Sequence, residues 1–319
     1  MAIDRRFLNW GTFFITAGTV VLVGQAALVS DADVAAALRF WPILIIGLGV
    51  GLLLRRTRFG LAGGMLAAAM PGLLLGGAIV AAPALPDGCG GELRPSSLVA
   101  RDGSFSGPAT VDLRLACGEV TVVTVPGTGW RTETGNGAGR EPEVSASVDR
   151  LTVASATGRG DWFRGGSDEW RVALPTGSAI DLDADVSAGS GTFDLAGAQL
   201  GSARLVVNAG DVRFDLSRAS ADRVSLDMNA ARVRLTLPAA SDLTADVSVN
   251  AGALSICAPD GLGLRVRETS TLADFSAWGL VRADGAWETP GYATATHRAD
   301  VSVTANVGSV DVNPEGGCK

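Results

Sequence analysis

Two hydrophobic patterns divide the chain near residue 85. Before it, apolar residues run on in long uncharged stretches: Trp10–Val29, Phe40–Leu54 and Phe59–Ala82. After it, they alternate with polar ones in short segments. An uncharged stretch of about 20 residues is long enough as a helix to cross a ~30 Å hydrocarbon core. The second stretch reaches that length if Val34–Leu38 is added, with Arg39 extending toward the interface. The third carries Pro71 and several glycines, which membrane helices tolerate when they pack on neighbours. The pattern therefore predicts N-terminal transmembrane α-helices over about 10–29, 34–54 and 59–82, within a membrane region 1–85.

Residues 86–319 read differently. Ser187-Ala188-Gly189, Asn208-Ala209-Gly210, Asn229-Ala230-Ala231 and Asn250-Ala251-Gly252 recur every 21 residues. The flanking positions keep the phase. Val172, Phe193, Phe214, Leu235 and Ile256 form one apolar column, and Leu174, Leu195, Leu216 and Leu237 a second. Val186, Val207, Met228 and Val249 form a third, before each corner. Thr192, Arg213, Arg234 and Ser255 interleave as polar positions. Period-two alternation means strands with one buried face, and a fixed 21-residue spacing means one coil stacked on the next. Asn and Gly suit the tight corner between two strands of a coil. The prediction is an all-β domain, a parallel β-solenoid with coils of about 21 residues, regular over 170–258. Asn208, Asn229 and Asn250 are its predicted coil corners.

Outside that span the phase extends weakly. Leu151 and Val153 start a further coil, and Val111–Val125 carries its own corner at Ala116-Cys117-Gly118. Residues 126–141 and 156–169 are glycine-rich and read as loops. Residues 301–314, around Asn306-Val307-Gly308, read as the last coil. The intervening 265–298 read as an insertion or end-capping hairpin, and 86–110 as a second capping candidate, since an open solenoid end invites edge pairing.

Charge and cysteines add a direction. Arg5 and Arg6 precede the first stretch, and Arg55, Arg56 and Arg58 separate the second from the third. By the positive-inside rule these lie in the cytoplasm, and three spans place the solenoid outside the cell. All four cysteines, Cys89, Cys117, Cys257 and Cys318, follow the last apolar stretch and include no C-x-x-C pair. An even number in an exported domain suggests two disulfides out of three possible connectivities. The favoured one is Cys89–Cys117 with Cys257–Cys318, one near each end of the domain. Four buried free thiols are the alternative.

The residues Arg5-Arg6, Asn9-Trp10-Gly11 and Phe40-Trp41-Pro42-Ile43-Leu44-Ile45-Ile46-Gly47-Leu48-Gly49, closed by Leu52-Leu53-Leu54-Arg55-Arg56, resemble the membrane region shared by LiaI and LiaF proteins. Farther on, Val233-Arg234-Leu235-Thr236-Leu237-Pro238, the Asn-Ala-Gly corners and Tyr292-Ala293 leading into Val301–Val312 resemble the C-terminal domain of LiaF and related toastrack adhesin-type domains. The resemblance implies a multi-pass protein that restrains a sensor histidine kinase responding to cell-envelope damage.

Candidate chemistry is sparse. A net charge of −7 and a single Lys, Lys319, give no footprint for nucleic acid. His297 is the only histidine and reads as an exposed strand residue. Asp181, Asp183, Asp185, Asp194, Asp211, Asp215, Asp227 and Asp246 alternate with apolar residues, as solvated strand faces do. They lack the nonapeptide of calcium-binding coils. Arg213 and Arg234 suggest a surface charge ladder worth little per pair. No catalytic group, metal or cofactor is expected. Trp130, Trp162, Trp170, Trp278 and Trp287 fall outside the regular coils, as end caps or as a binding face. Trp162, Phe163, Arg164 and Trp170 make the best candidate contact loop. Two functions remain open: a LiaF-like envelope-stress regulator working through a sensor kinase, and a passive structural or adhesin-like display module. An enzyme acting on envelope polymers is the least favoured.

Overall fold

The structure, a computed structural model, describes residues 10–16, 18–19, 41–54, 60–81, 97–137, 139–156 and 166–314. The chain forms two compact units, Met1–Gly88 and Cys89–Lys319. The first unit is helical where described: residues 10–16, α1 (Trp41–Leu54) and α2 (Gly60–Ala81). Small residues let α1 and α2 approach closely, and a Cβ added at Gly51 would lie 2.8 Å from the Ala67 nitrogen.

The multi-pass membrane reading, and the membrane localisation that followed from it, is overturned here. Among the described residues no helix is long and apolar enough to cross a membrane. α1 has 14 residues, a rise of about 21 Å against a hydrocarbon core of ~30 Å. α2 is longer, with 22 residues and Pro71 inside it, but about half its positions are Gly or Ala, which offer little apolar side-chain surface. An uncharged run is necessary for a span but does not suffice. Of the predicted spans, residues 17, 20–29, 34–40, 59 and 82 lie outside the described residues.

The second unit is β throughout. Its strands are β1 (Val99–Ser104), β2 (Ala109–Leu115), β3 (Gly118–Val125), β4 (Gly129–Asn136), β5 (Glu143–Ala146), β6 (Arg150–Ala154), β7 (Asp168–Pro175) and β8 (Ala179–Val186). They continue with β9 (Gly189–Asp194), β10 (Gln199–Asp215), β11 (Ser220–Thr236), β12 (Leu243–Cys257), β13 (Gly263–Ala277), β14 (Val281–Ala283), β15 (Ala286–Glu288) and β16 (Arg298–Val312). The long strands β10, β11, β12, β13 and β16 each bend through a corner, so one strand supplies both arms of a coil. Parallel pairing sets Leu205 on Leu226 on Val247, and Phe214 on Leu235 on Ile256. The inward columns are all buried, from Val186 through Val207 and Met228 to Val249, and from Leu174 through Leu195 and Leu216 to Leu237. Phe193 and Phe214 meet with ring centroids 5.4 Å apart. Fully burying one such side chain stabilises by roughly 1.5–3 kcal/mol, so this narrow interior carries the fold.

Coils do not stack in chain order. In the first arm, β2 pairs with β8 on one side and with β6 on the other. In the second arm, β3 lies between β9 and β7. The coil of 109–125 is thus held between the two that follow it in sequence. The other end repeats the device. β16 pairs with β12 and β13, filling a slot that the chain left open on its first pass. The residues read as an insertion at 265–298 therefore begin with a complete outer coil, β13.

Each end is closed by antiparallel strands. At one end β4 pairs with β7, β1 with β4, and β5 with β6. β4 occupies residues read from their glycines as loop. Its inward positions are Trp130, Thr132 and Thr134, all buried, so polar threonines hid its alternation. The Trp130 indole lies against Gly103, where a Cβ would come within 2.5 Å of Cζ2. At the other end the β14–β15 hairpin covers the first arm of β13. Trp287 packs there against Phe275, with the Arg282 guanidinium 5.2 Å from its ring.

Candidate functional site

The corner is the most regular surface feature. Asn229 Nδ2 donates to Asn208 Oδ1 at 2.6 Å, Asn250 Nδ2 to Asn229 Oδ1 at 2.6 Å, and Asn306 Nδ2 to Asn250 Oδ1 at 3.0 Å. Asn208 Nδ2 in turn donates to Asp185 Oδ1 at 3.4 Å. Asn208, Asn229 and Asn250 each give with the amide nitrogen and accept with the amide oxygen, so one ladder ties successive coils together. Two residues on, Gly118, Gly189, Gly210, Gly252 and Gly308 share φ between 121° and 144°. A Cβ at Gly210 would meet the Gly189 carbonyl oxygen at 1.8 Å. Ala231 fills the same column without a positive φ.

The outer faces are polar and cross-linked. Ser202 Oγ donates to Asp181 at 2.6 Å, while Arg204–Asp227 (3.3 Å), Arg218–Asp194 (3.3 Å) and Arg232–Asp211 (3.6 Å) join neighbouring coils. All three ion pairs are exposed, so each contributes little on its own. Arg213 and Arg234 lie directly opposite each other in one polar column, with Asp211 and Asp215 two residues to either side of Arg213.

A second polar group is buried. Asp168, at the start of β7, accepts hydrogen bonds from Asn136 Nδ2 at 2.8 Å and from the Ser155 hydroxyl. Ser155 Oγ also accepts from the Ala116 amide, and the Asp168 amide donates to the Cys117 carbonyl. Burial pushes the Asp168 carboxyl up from 3.8, and the bonds from Ser155 and Asn136 pull it back in part. Sequence reading missed this group because its members meet only through the out-of-order stacking of β6, β2 and β7.

A third group braces the opposite end. Arg265 Nε donates to Glu288 Oε1 at 2.6 Å, and its guanidinium lies 4.2 Å from the centroid of the Tyr292 ring. The Tyr292 hydroxyl donates to Asp300 Oδ2 at 2.8 Å. Burial, helped by that bond, raises the phenol above its ordinary value. An open cleft of about 350 Å³ lies nearby, lined by Pro259, Leu262, Thr289 and Pro290 among others. His297 is partly exposed, with Nδ1 4.0 Å from Asp242 Oδ1. Among the described residues no group of three or more His, Cys, Asp or Glu is arranged to hold a metal ion.

Of the contact-loop candidates, Trp162, Phe163 and Arg164 lie outside the described residues. Trp170 is fully buried in β7 and faces the core, so it acts in packing rather than contact. Cys117 and Cys257 are both disulfide-bonded, whereas Cys89 and Cys318 lie outside the described residues. Asn208, Asn229 and Asn250 stand together in the ladder.

Residues 106–235 match the family described as the N-terminal domain of toast_rack, DUF2154. No curated protein matches the chain. Among solved structures, a candidate cell adhesion protein from Clostridium sporogenes is similar at 12% identity and a TM-score of 0.47, covering 67% of this chain and 98% of that one. A candidate adhesin from Bacteroides fragilis is similar at 10% identity and a TM-score of 0.27, covering 67% and 97%. The stacked β unit thus carries a toastrack-type region over residues 106–235.

Proposed function

We propose that the toastrack-type domain is a surface display module used in an adhesin-like way. It is a stiff stack that holds broad polar faces in fixed relief for another macromolecule. The observation that carries this reading is the ladder Asp185–Asn208–Asn229–Asn250–Asn306, together with the inter-coil ion pairs. These side chains spend their hydrogen bonds on keeping the coils in register, which suits a rigid contact surface. The bonded state of Cys117 and Cys257 suits an oxidising compartment, where such bonds persist. Antibody against the domain, applied to intact cells, is expected to stain them, and deletion of the gene to reduce attachment to a surface or to other cells. Unstained cells with unchanged attachment would count against display.

A narrower use of the same faces is contact with a sensor histidine kinase, supported by the resemblance at Val233–Pro238 and the Asn corners. This predicts a change in the basal output of an envelope-stress regulon on deletion, with attachment unaffected.

A further inference from the structure

The two ends of the second-arm sheet are guarded unequally. At one end β1 is short, antiparallel, and carries Arg101, Asp102 and Gly103 along its open side, devices that discourage pairing with another chain. At the other end the outermost strand is β13. The capping strand β15 bridges only Arg265 and Val266. Among the described residues no strand pairs with the outer side of 271–277, which has neither Lys nor Pro. Exposed apolar side chains gather there: Leu272 (77% exposed), Trp278 (49%), Val281 (55%) and Val307 (49%).

We propose that this edge receives the same edge of a second copy, forming a two-fold dimer that joins the β13 ends into one continuous sheet. The sequence of the edge fixes the register. Ala273, Phe275 and Ala277 align with Gly308, Val310 and Val312 and continue the inward column, while Leu272, Asp274 and Ser276 face outward. Antiparallel two-fold pairing keeps inward on inward only when the axis passes through a residue. An axis at Asp274 sets carboxylate on carboxylate, which like-charge repulsion disfavours. An axis at Ser276 sets Asp274 against Trp278. An axis at Phe275 sets Phe275 on Phe275, Ala273 on Ala277, Asp274 on Ser276, and brings exposed Leu272 to exposed Trp278, the first residue past the strand's end. Only this last register matches apolar with apolar at every apolar position and leaves no carboxylate facing its copy. An isologous contact of this kind closes on itself, so assembly stops at two chains. The dimer does not depend on what the display faces bind.

Light scattering on the full-length protein is expected to give twice the 32.4 kDa chain mass. Leu272→Lys, at a solvent-exposed position, is expected to weaken the dimer at least about tenfold while circular dichroism shows the β fold intact. Under mild oxidation Phe275→Cys should cross-link to itself. Leu272→Cys should not, except when mixed with Trp278→Cys. A monomer at tens of micromolar, a dimer indifferent to Leu272→Lys, or open-ended polymers would each overturn the proposal. A dimer whose Leu272 and Trp278 cysteines fail to join when mixed would overturn the register.

Discussion

At the residue scale, two positions show how little freedom the corner allows. Gly210 has φ 132° and no room for a Cβ beneath the Gly189 carbonyl. Gly210→Ala is therefore expected to destabilise by about 3 kcal/mol or more, read from urea unfolding. Asp168 makes the second case. Its carboxyl is raised, chiefly by burial, so the folded state holds the proton more tightly than the unfolded chain. Ionisation then costs stability over the window from the ordinary value of 3.8 up to the raised one, and acidification through that window restores it. Asp168→Asn lacks this dependence while keeping an acceptor. Measured by melting temperature against pH, the variant should improve relative to the parent as pH rises through the window. A constant difference would show that Asp168 does not titrate there. The repeat made the Gly210 corner legible, since glycine recurs at a fixed offset from the Asn. Asp168 had no such signal, because Ser155 and Asn136 reach it only after the coils stack out of order.

At the element scale, what the sequence revealed depended on whether a strand's partner lay one period away. β10 and β11 pair with neighbours in sequence, as β12 does on its β11 side, so their columns read directly from the 21-residue spacing. β4 has buried threonines where apolar residues were sought, and β13 has an exposed second arm, so neither alternates as expected. The uncharged stretches misled for another reason: a Gly- and Ala-rich helix such as α2 lacks charges just as a membrane span does. Within the regular coils the ladder acts as one element. Asn229→Ala removes one bond given and one received, and at an exposed corner should cost about 1–2 kcal/mol. Asn208→Ala combined with Asn229→Ala should cost less than the two added separately, because they share a bond. Chemical denaturation of the single and double variants measures that coupling.

At the scale of the whole molecule, the bonded cysteines sit several coils apart in the stack, Cys117 at the corner of the 109–125 coil and Cys257 at the end of β12. Reducing both bonds is expected to lower stability by about 2–5 kcal/mol for each, seen as a fall in melting temperature with reductant. If reductant leaves the melting temperature unchanged, the bonds restrain segments that unfold independently of the stack.

The slots that β2–β3 and β16 fill have a kinetic meaning. Most domains begin to come apart by fraying at their chain ends. Here the terminal coils are held on both sides, by β6–β7 and β8–β9 at one end and by β12 and β13 at the other. Assembly pays for that protection with delay, since a chain leaving the ribosome cannot close its far end until β16, its last strand, slides into a gap already framed by its predecessors.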